Sequence, residues 1–184
     1  MWHKHGVTRP RTPRPPLDRR HLEELALRYV GRFATSRKRL DDFLRRKLRE
    51  RGWEGDGEAP VAEVVERLAG LGYVDDAAFA LSRARSLGAR GYGPRRLAGA
   101  LAEAGIEEGD AEPAMQSASD DSAEAILRFA RRRRIGPFAE DLPDRPTREK
   151  WLAAMVRAGH DFALARRIVD CPPGTAPSAG DLAG

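Results

Sequence analysis

Apolar residues recur along most of this chain at the three- and four-residue steps that place them on one side of a helix. Leu22, Leu25, Ala26, Tyr29, Val30 and Phe33 fall on one face of a long first helix. Leu40, Phe43, Leu44 and Leu48 mark a second, with Ser36 as its cap and Gly52 as its stop. Val61, Val64, Val65, Leu68 and Leu71 predict a third, ended by Gly72. Asp75 or Asp76 then caps a fourth that holds Phe79, Ala80, Arg83, Ala84 and Leu87. After the turn Gly91-Tyr92-Gly93-Pro94, with Pro94 suited to a first helical position, Leu97, Leu101 and Ala104 build a fifth that stops at Gly105. Two or three more follow, around residues 121–134, 147–158 and 161–169. No stretch alternates with the two-residue period of a strand, so the expected fold class is all-α.

The pattern also repeats on a longer scale. Three of these helices end in two apolar residues four apart and then, four residues on, a glycine: Leu44, Leu48, Gly52; Leu97, Leu101, Gly105; Trp151, Met155, Gly159. The glycines are 53 and 54 residues apart. Each such helix follows another amphipathic one, and a basic-aromatic element recurs there as Leu27-Arg28-Tyr29 and Leu127-Arg128-Phe129, replaced in the middle copy by Phe79 and Arg83. A unit near 50 residues is too small to bury a full core alone, so such units lean on each other. Arrays of this kind grow in one dimension and present a curved surface suited to an elongated partner. The expected architecture is therefore an elongated, curved array of three tandem three-helix modules at 17–58, 59–110 and 111–170. A basic arm at 1–16 and a tail at 171–184, both rich in proline and poor in large apolar groups, are expected to be disordered.

Charge adds a question about partners. The chain has 29 Arg, 4 Lys and 28 acidic residues for a net charge of +5, and a basic protein usually meets something acidic. The excess is uneven: residues 1–58 carry +7, residues 59–119 carry −3 and residues 120–184 carry +1. The single Cys171 can form no internal disulfide, which fits a reducing compartment, and no apolar run is long enough for a membrane span or a secretory signal. The expected location is the cytoplasm, away from membranes.

Candidate chemistry is sparse. The sequence holds no glycine-rich phosphate loop with Lys-Ser or Lys-Thr, no His-Glu-x-x-His metal pattern and no cysteine inside the folded body, so neither catalysis nor a cofactor is expected. His3 and His5 lack supporting ligands for a metal. Asp75-Asp76 is accounted for as a cap and a favourable charge at a helix start, and Asp161 as the cap of the last helix with His160 beside it. Phe79 and Trp151 have core spacing, and with 7% aromatics no base-stacking platform is evident. The basic clusters are the better candidates. Arg131, Arg132, Arg133 and Arg134 end a helix, where cations are favourable, yet four in a row exceed that need and surround the helix. Arg45, Arg46, Lys47, Arg49 and Arg51 form another run, and Arg95 with Arg96 a third.

One segment points to a family. Leu71-Gly72-Tyr73-Val74-Asp75-Asp76-Ala77-Ala78-Phe79-Ala80, then Arg83 and Arg85, then Gly91-Tyr92-Gly93-Pro94-Arg95-Arg96-Leu97 with Leu101 and Gly105-Ile106, resembles the signature of the RecX family, regulators of the RecA recombinase. The flanks resemble that family's first and third modules, so the likeness covers roughly residues 20–170. Two departures stand out. Ser36 precedes three leucines where the family usually has two, which adds a helical turn. A loop with Gly136, Pro137, Pro143 and Pro146 is longer than the compact connection of other members.

The resemblance implies a curved helical monomer without catalysis that lies in the groove of the RecA filament on single-stranded DNA and inhibits its ATPase and strand exchange. Position in the signature puts Arg83, Arg85, Arg95 and Arg96 on the expected partner surface, and charge adds the run Arg131 to Arg134, with weak direct nucleic-acid contact besides. Arg content alone would instead suggest a direct DNA-binding or architectural protein.

Overall fold

A computed structural model describes residues 15–182, so the basic arm, apart from Pro15 and Pro16, lies outside the described residues together with His3 and His5. The helices are α1 (Arg19–Val30), α2 (Arg37–Arg51), α3 (Val61–Gly70), α4 (Asp76–Ala89), α5 (Pro94–Glu103), α6 (Glu108–Asp120), α7 (Ser122–Arg133), α8 (Arg145–Arg157), α9 (Phe162–Asp170) and α10 (Ala179–Leu182). A single bridge between Leu17 and Trp53 is the only extended pairing among the described residues. The fold is an all-α helical repeat.

Local signals set most helix starts. Asp18, Ser36, Asp75, Asp144 and Asp161 each accept a backbone N–H two or three residues ahead, satisfying donors that a first turn leaves open. At the other ends, Gly52, Gly105 and Gly159 all have positive φ, which explains the glycine at the close of every repeat.

Packing shifts the module boundaries by one helix. The first core runs from Leu17 to Val74, the second from Ala80 to Ala114, and the third from Ala123 to Leu182. Each module is thus a triplet, α1–α3, α4–α6 and α7–α9, with breaks near residues 75 and 121 instead of 58 and 110. The glycine-terminated helix is the second of its triplet, and a third helix folds back over it. Residues 59–70 therefore belong with the first module and 111–120 with the second.

Three further expectations change. The first helix ends at Gly31, so Phe33 stands 57% exposed in the following turn, with its ring 5.4 Å from that of Tyr29. α6 was not evident from the sequence: its buried face is built mostly of Ala111, Ala114, Met115 and Ala118, and Pro113 sits inside it. The segment 171–182 is ordered instead of disordered. The Gly174 amide donates to the Pro137 carbonyl, Arg167 donates to the Asp181 carbonyl, and Leu182 is buried against the third core. One buried leucine and these hydrogen bonds anchor a segment whose composition alone favours disorder.

Candidate functional site

Two joints hold the modules in line, and both use the same parts. At each, the C-terminal end of one module's second helix meets the N-terminus of the preceding module's second helix. At the first joint the Ser36 hydroxyl donates to the Ala104 carbonyl (2.6 Å) while also capping α2. Asp76, buried, accepts from the Arg37 amide (3.0 Å) and from its guanidinium (3.5 Å). Asp76 is thus a tie between modules more than a simple helix-start charge.

At the second joint the backbone does this work. The Gly93 amide donates to the Ala158 carbonyl (3.0 Å) and the Arg95 amide to the Gly159 carbonyl (3.1 Å). Gly159 fits only because it lacks a side chain: a Cβ there would run into the Arg96 backbone. Below this contact lies His160, 1% exposed, with Nε2 at 3.0 Å from the Gly91 carbonyl and its ring edge-on to Phe129. Burial pushes its pKa from the usual 6.5 down to about 4, against a small opposing pull from the Gly91 carbonyl. Arg95 reaches Asp161 (3.3 Å), whose carboxyl is held below its usual range first by the Leu164 amide, then by the Ala163 amide and the charge of Arg95.

Above the second joint a groove of about 420 Å³ opens between α4, α5 and the end of α8. Arg83, Arg95 and Arg96 line it, as does Tyr92 of the signature turn, together with two arginines that sequence reasoning passed over, Arg90 and Arg157. Tyr92 packs on both the second and third cores, and the guanidinium groups of Arg90 and Arg96 lie 5.0 and 6.0 Å from its ring centroid. The Nε of Arg83 is buried and makes no hydrogen bond among the described residues. The repeat itself pointed here, since Arg90 directly precedes the Gly91-Tyr92-Gly93 turn and Arg157 stands two residues before the repeat's last glycine.

The other candidates lie elsewhere. Arg85 lines a separate cleft of about 230 Å³ with Arg128 on the α6 and α7 side, where Tyr92 and Leu87 form the shared wall. Arg131 to Arg134 are exposed at the end of α7. Arg131 lies 4.9 Å from the Phe138 ring centroid, and Arg132 and Arg133 lie 5.6 and 5.7 Å from that of Phe129. Arg134, in a left-handed conformation, pairs with Glu140 (2.7 Å). The eight arginines singled out in the sequence thus occupy three places, and three of the eight share the groove. The run Arg45 to Arg51 is partly neutralised along its own helix, where Arg45 pairs with Asp41 and Lys47 with Glu50.

Comparison with known proteins agrees with this modular reading. Residues 75–115 match the family model described as RecX, second three-helix domain. The regulatory protein RecX of Myxococcus xanthus is 32% identical over 176 residues, covering 91% of this chain and 92% of that protein. The protein of the same name from Xanthomonas campestris pv. campestris (strain B100) is 33% identical over 150 residues, covering 81% and 88%. Among solved structures, RecX from Lactobacillus salivarius superposes with a TM-score of 0.62 at 21% identity, over 82% of this chain and 94% of that one.

Proposed function

The chain belongs to the RecX family, and from that premise we propose that it is a non-enzymatic regulator of the RecA recombinase. It binds the RecA filament on single-stranded DNA, lowers its ATPase and strand exchange, and so tempers recombination and DNA repair, acting as a monomer in the cytoplasm. The observation that carries this reading is likeness over nearly the whole length to relatives named as regulatory proteins. Its shape is in keeping: three modules in a row suit a partner longer than themselves. Arg95 and Arg96, with Arg83, would meet the filament at the second joint. Arg85 and the run Arg131 to Arg134 would add contacts to either side.

The test is the DNA-dependent ATPase of RecA with and without this chain. Inhibition that rises with concentration supports the reading, and an unchanged rate at several-fold excess removes it. Replacing Arg95 and Arg96 by Ala, and separately Arg131 to Arg134, assigns the surface if filament binding weakens while helicity and melting are kept. A direct DNA-binding protein would instead hold naked duplex tightly without RecA, and its affinity would fall steeply with salt.

A further inference from the structure

Much of the guanidinium charge on this protein is neutralised within its own helices. Arg20 pairs with Glu24, Arg45 with Asp41, Arg128 with Glu124 and Arg145 with Glu149, each four residues apart. The groove at the second joint departs from this habit. Among the described residues Arg83, Arg90, Arg96 and Arg157 have no carboxylate partner, and Arg95 shares Asp161 with that residue's capping of α9. Glu103 is the one acid on the groove wall. The Nε of Arg83 is buried without an acceptor among the described residues, and no carboxylate among them neutralises that guanidinium in the groove wall.

The groove is also preorganised. Its base is fixed by the backbone bonds from Gly93 and Arg95 to the end of α8, and Tyr92 holds two of the guanidinium groups against its ring. At about 420 Å³ it has the size of a small-ligand site. Charge density then selects the ligand. A nucleic-acid strand presents one negative charge per nucleotide, so the length this groove could cover would leave most of the guanidiniums unmatched. A polyphosphate chain gathers several negative charges into the same space, each phosphate offering oxygens that the forked guanidinium donors fit.

We propose that the groove lined by Arg83, Arg90, Arg95, Arg96 and Arg157 binds a polyphosphate chain, whether free or carried by a nucleotide. This site is a property of the chain alone and does not rest on the recombinase reading.

The test is calorimetric titration of the full chain, without RecA, using inorganic tripolyphosphate, ATP and a short oligothymidylate in parallel. Tripolyphosphate and ATP should each bind one per chain, and the oligonucleotide should bind more weakly than either. Arg96→Ala and Arg157→Ala should each weaken tripolyphosphate about tenfold or more, the usual consequence of losing a charge-assisted contact. Arg145→Ala, remote and paired with Glu149, should leave it unchanged. Arg157 is exposed at the end of α8, so its replacement decides the matter if Arg96→Ala lowers the melting temperature. The proposal is overturned if tripolyphosphate gives no saturable binding, if the groove variants bind as the parent does, or if the oligonucleotide binds more tightly than tripolyphosphate, which would make the groove a track for a nucleic-acid backbone.

Discussion

The buried His160 should make the fold sensitive to mild acid, and the size of the effect follows from its surroundings. A carbonyl can only accept, so the contact with Gly91 requires the proton on Nε2, and Nδ1 is left bare with no hydrogen-bond partner among the described residues. Adding a second proton would place a cation in the joint with no acceptor for its new N–H. The unfolded chain binds that proton near pH 6.5, whereas the folded one resists until about pH 4. Protonation therefore favours unfolding as pH falls through that window, and above it the residue is neutral in both states and costs nothing. At about 1.36 kcal/mol per pH unit the full gap is about 3.4 kcal/mol, of which about 2 kcal/mol is already lost at pH 5. Urea unfolding followed by far-UV circular dichroism between pH 8 and pH 4 measures this directly. His160→Gln, whose amide can still donate to the Gly91 carbonyl, is the reference. It should be less stable at neutral pH yet lack most of the slope between pH 6.5 and 5. Equal slopes in the two proteins would refute the reasoning, because the sensitivity would then belong to other groups.

The remaining expectations concern cores, joints and tail. Phe79→Ala and Leu101→Ala, both at buried positions of the middle module, should each lower unfolding stability by about 2 to 5 kcal/mol without informing on function. Ser36→Ala removes a cap from α2 and strands the Ala104 carbonyl, so a loss of about 1 to 3 kcal/mol is expected, against a smaller loss for Ser36→Thr, which keeps the hydroxyl. Leu182→Ala should cost about 1 to 3 kcal/mol and make the segment after Cys171 more open to proteolysis; equal protease resistance in both would show that the leucine does not anchor it.

The sequence showed the helices and the repeat because both are written in large apolar residues at fixed spacing. Leu44, Leu97, Leu101 and Met155 are buried where periodicity placed them. What stayed hidden was carried by small groups or by the backbone. α6 buries a row of alanines that hydropathy barely distinguishes from a surface, and its interior proline argues against a helix. Without α6 the glycine stops looked like ends of modules when they are ends of second helices. The tail looked disordered because its anchors are a single leucine, a cap between Ser178 and Asp181, and main-chain bonds that composition does not encode. The site was half legible. Paired arginines could be noticed in the sequence, but whether each is neutralised by a neighbour is settled only by geometry, and that distinction separates Arg96 and Arg157 from Arg45 and Arg128.

The two joints show why positive charge is left free at one of them. Where the first joint uses the side chains of Ser36, Arg37 and Asp76 on the end of α5, the second has Gly93 at the position of Ser36 and meets the end of α8 with the amides of Gly93 and Arg95, flanked by the His160–Gly91 and Arg95–Asp161 contacts. At the first joint an arginine is consumed: Arg37 is tied to the buried Asp76 and lies near Glu66. At the second, Arg95 contributes its amide to the joint and keeps its guanidinium at the surface, while Arg96 approaches Gly159 with its backbone and turns its charge toward Tyr92. So close a main-chain approach needs glycine on both sides, which Gly93 and Gly159 provide, and it leaves the guanidinium of Arg96 without a carboxylate to hold among the described residues. The middle of the chain has a net negative charge, yet the same segment supplies Arg83, Arg90 and Arg96, which have no carboxylate partner among the described residues and line one groove. Net charge along the sequence therefore says little about where unpaired guanidinium groups gather, because that depends on which arginines the joint leaves without a carboxylate.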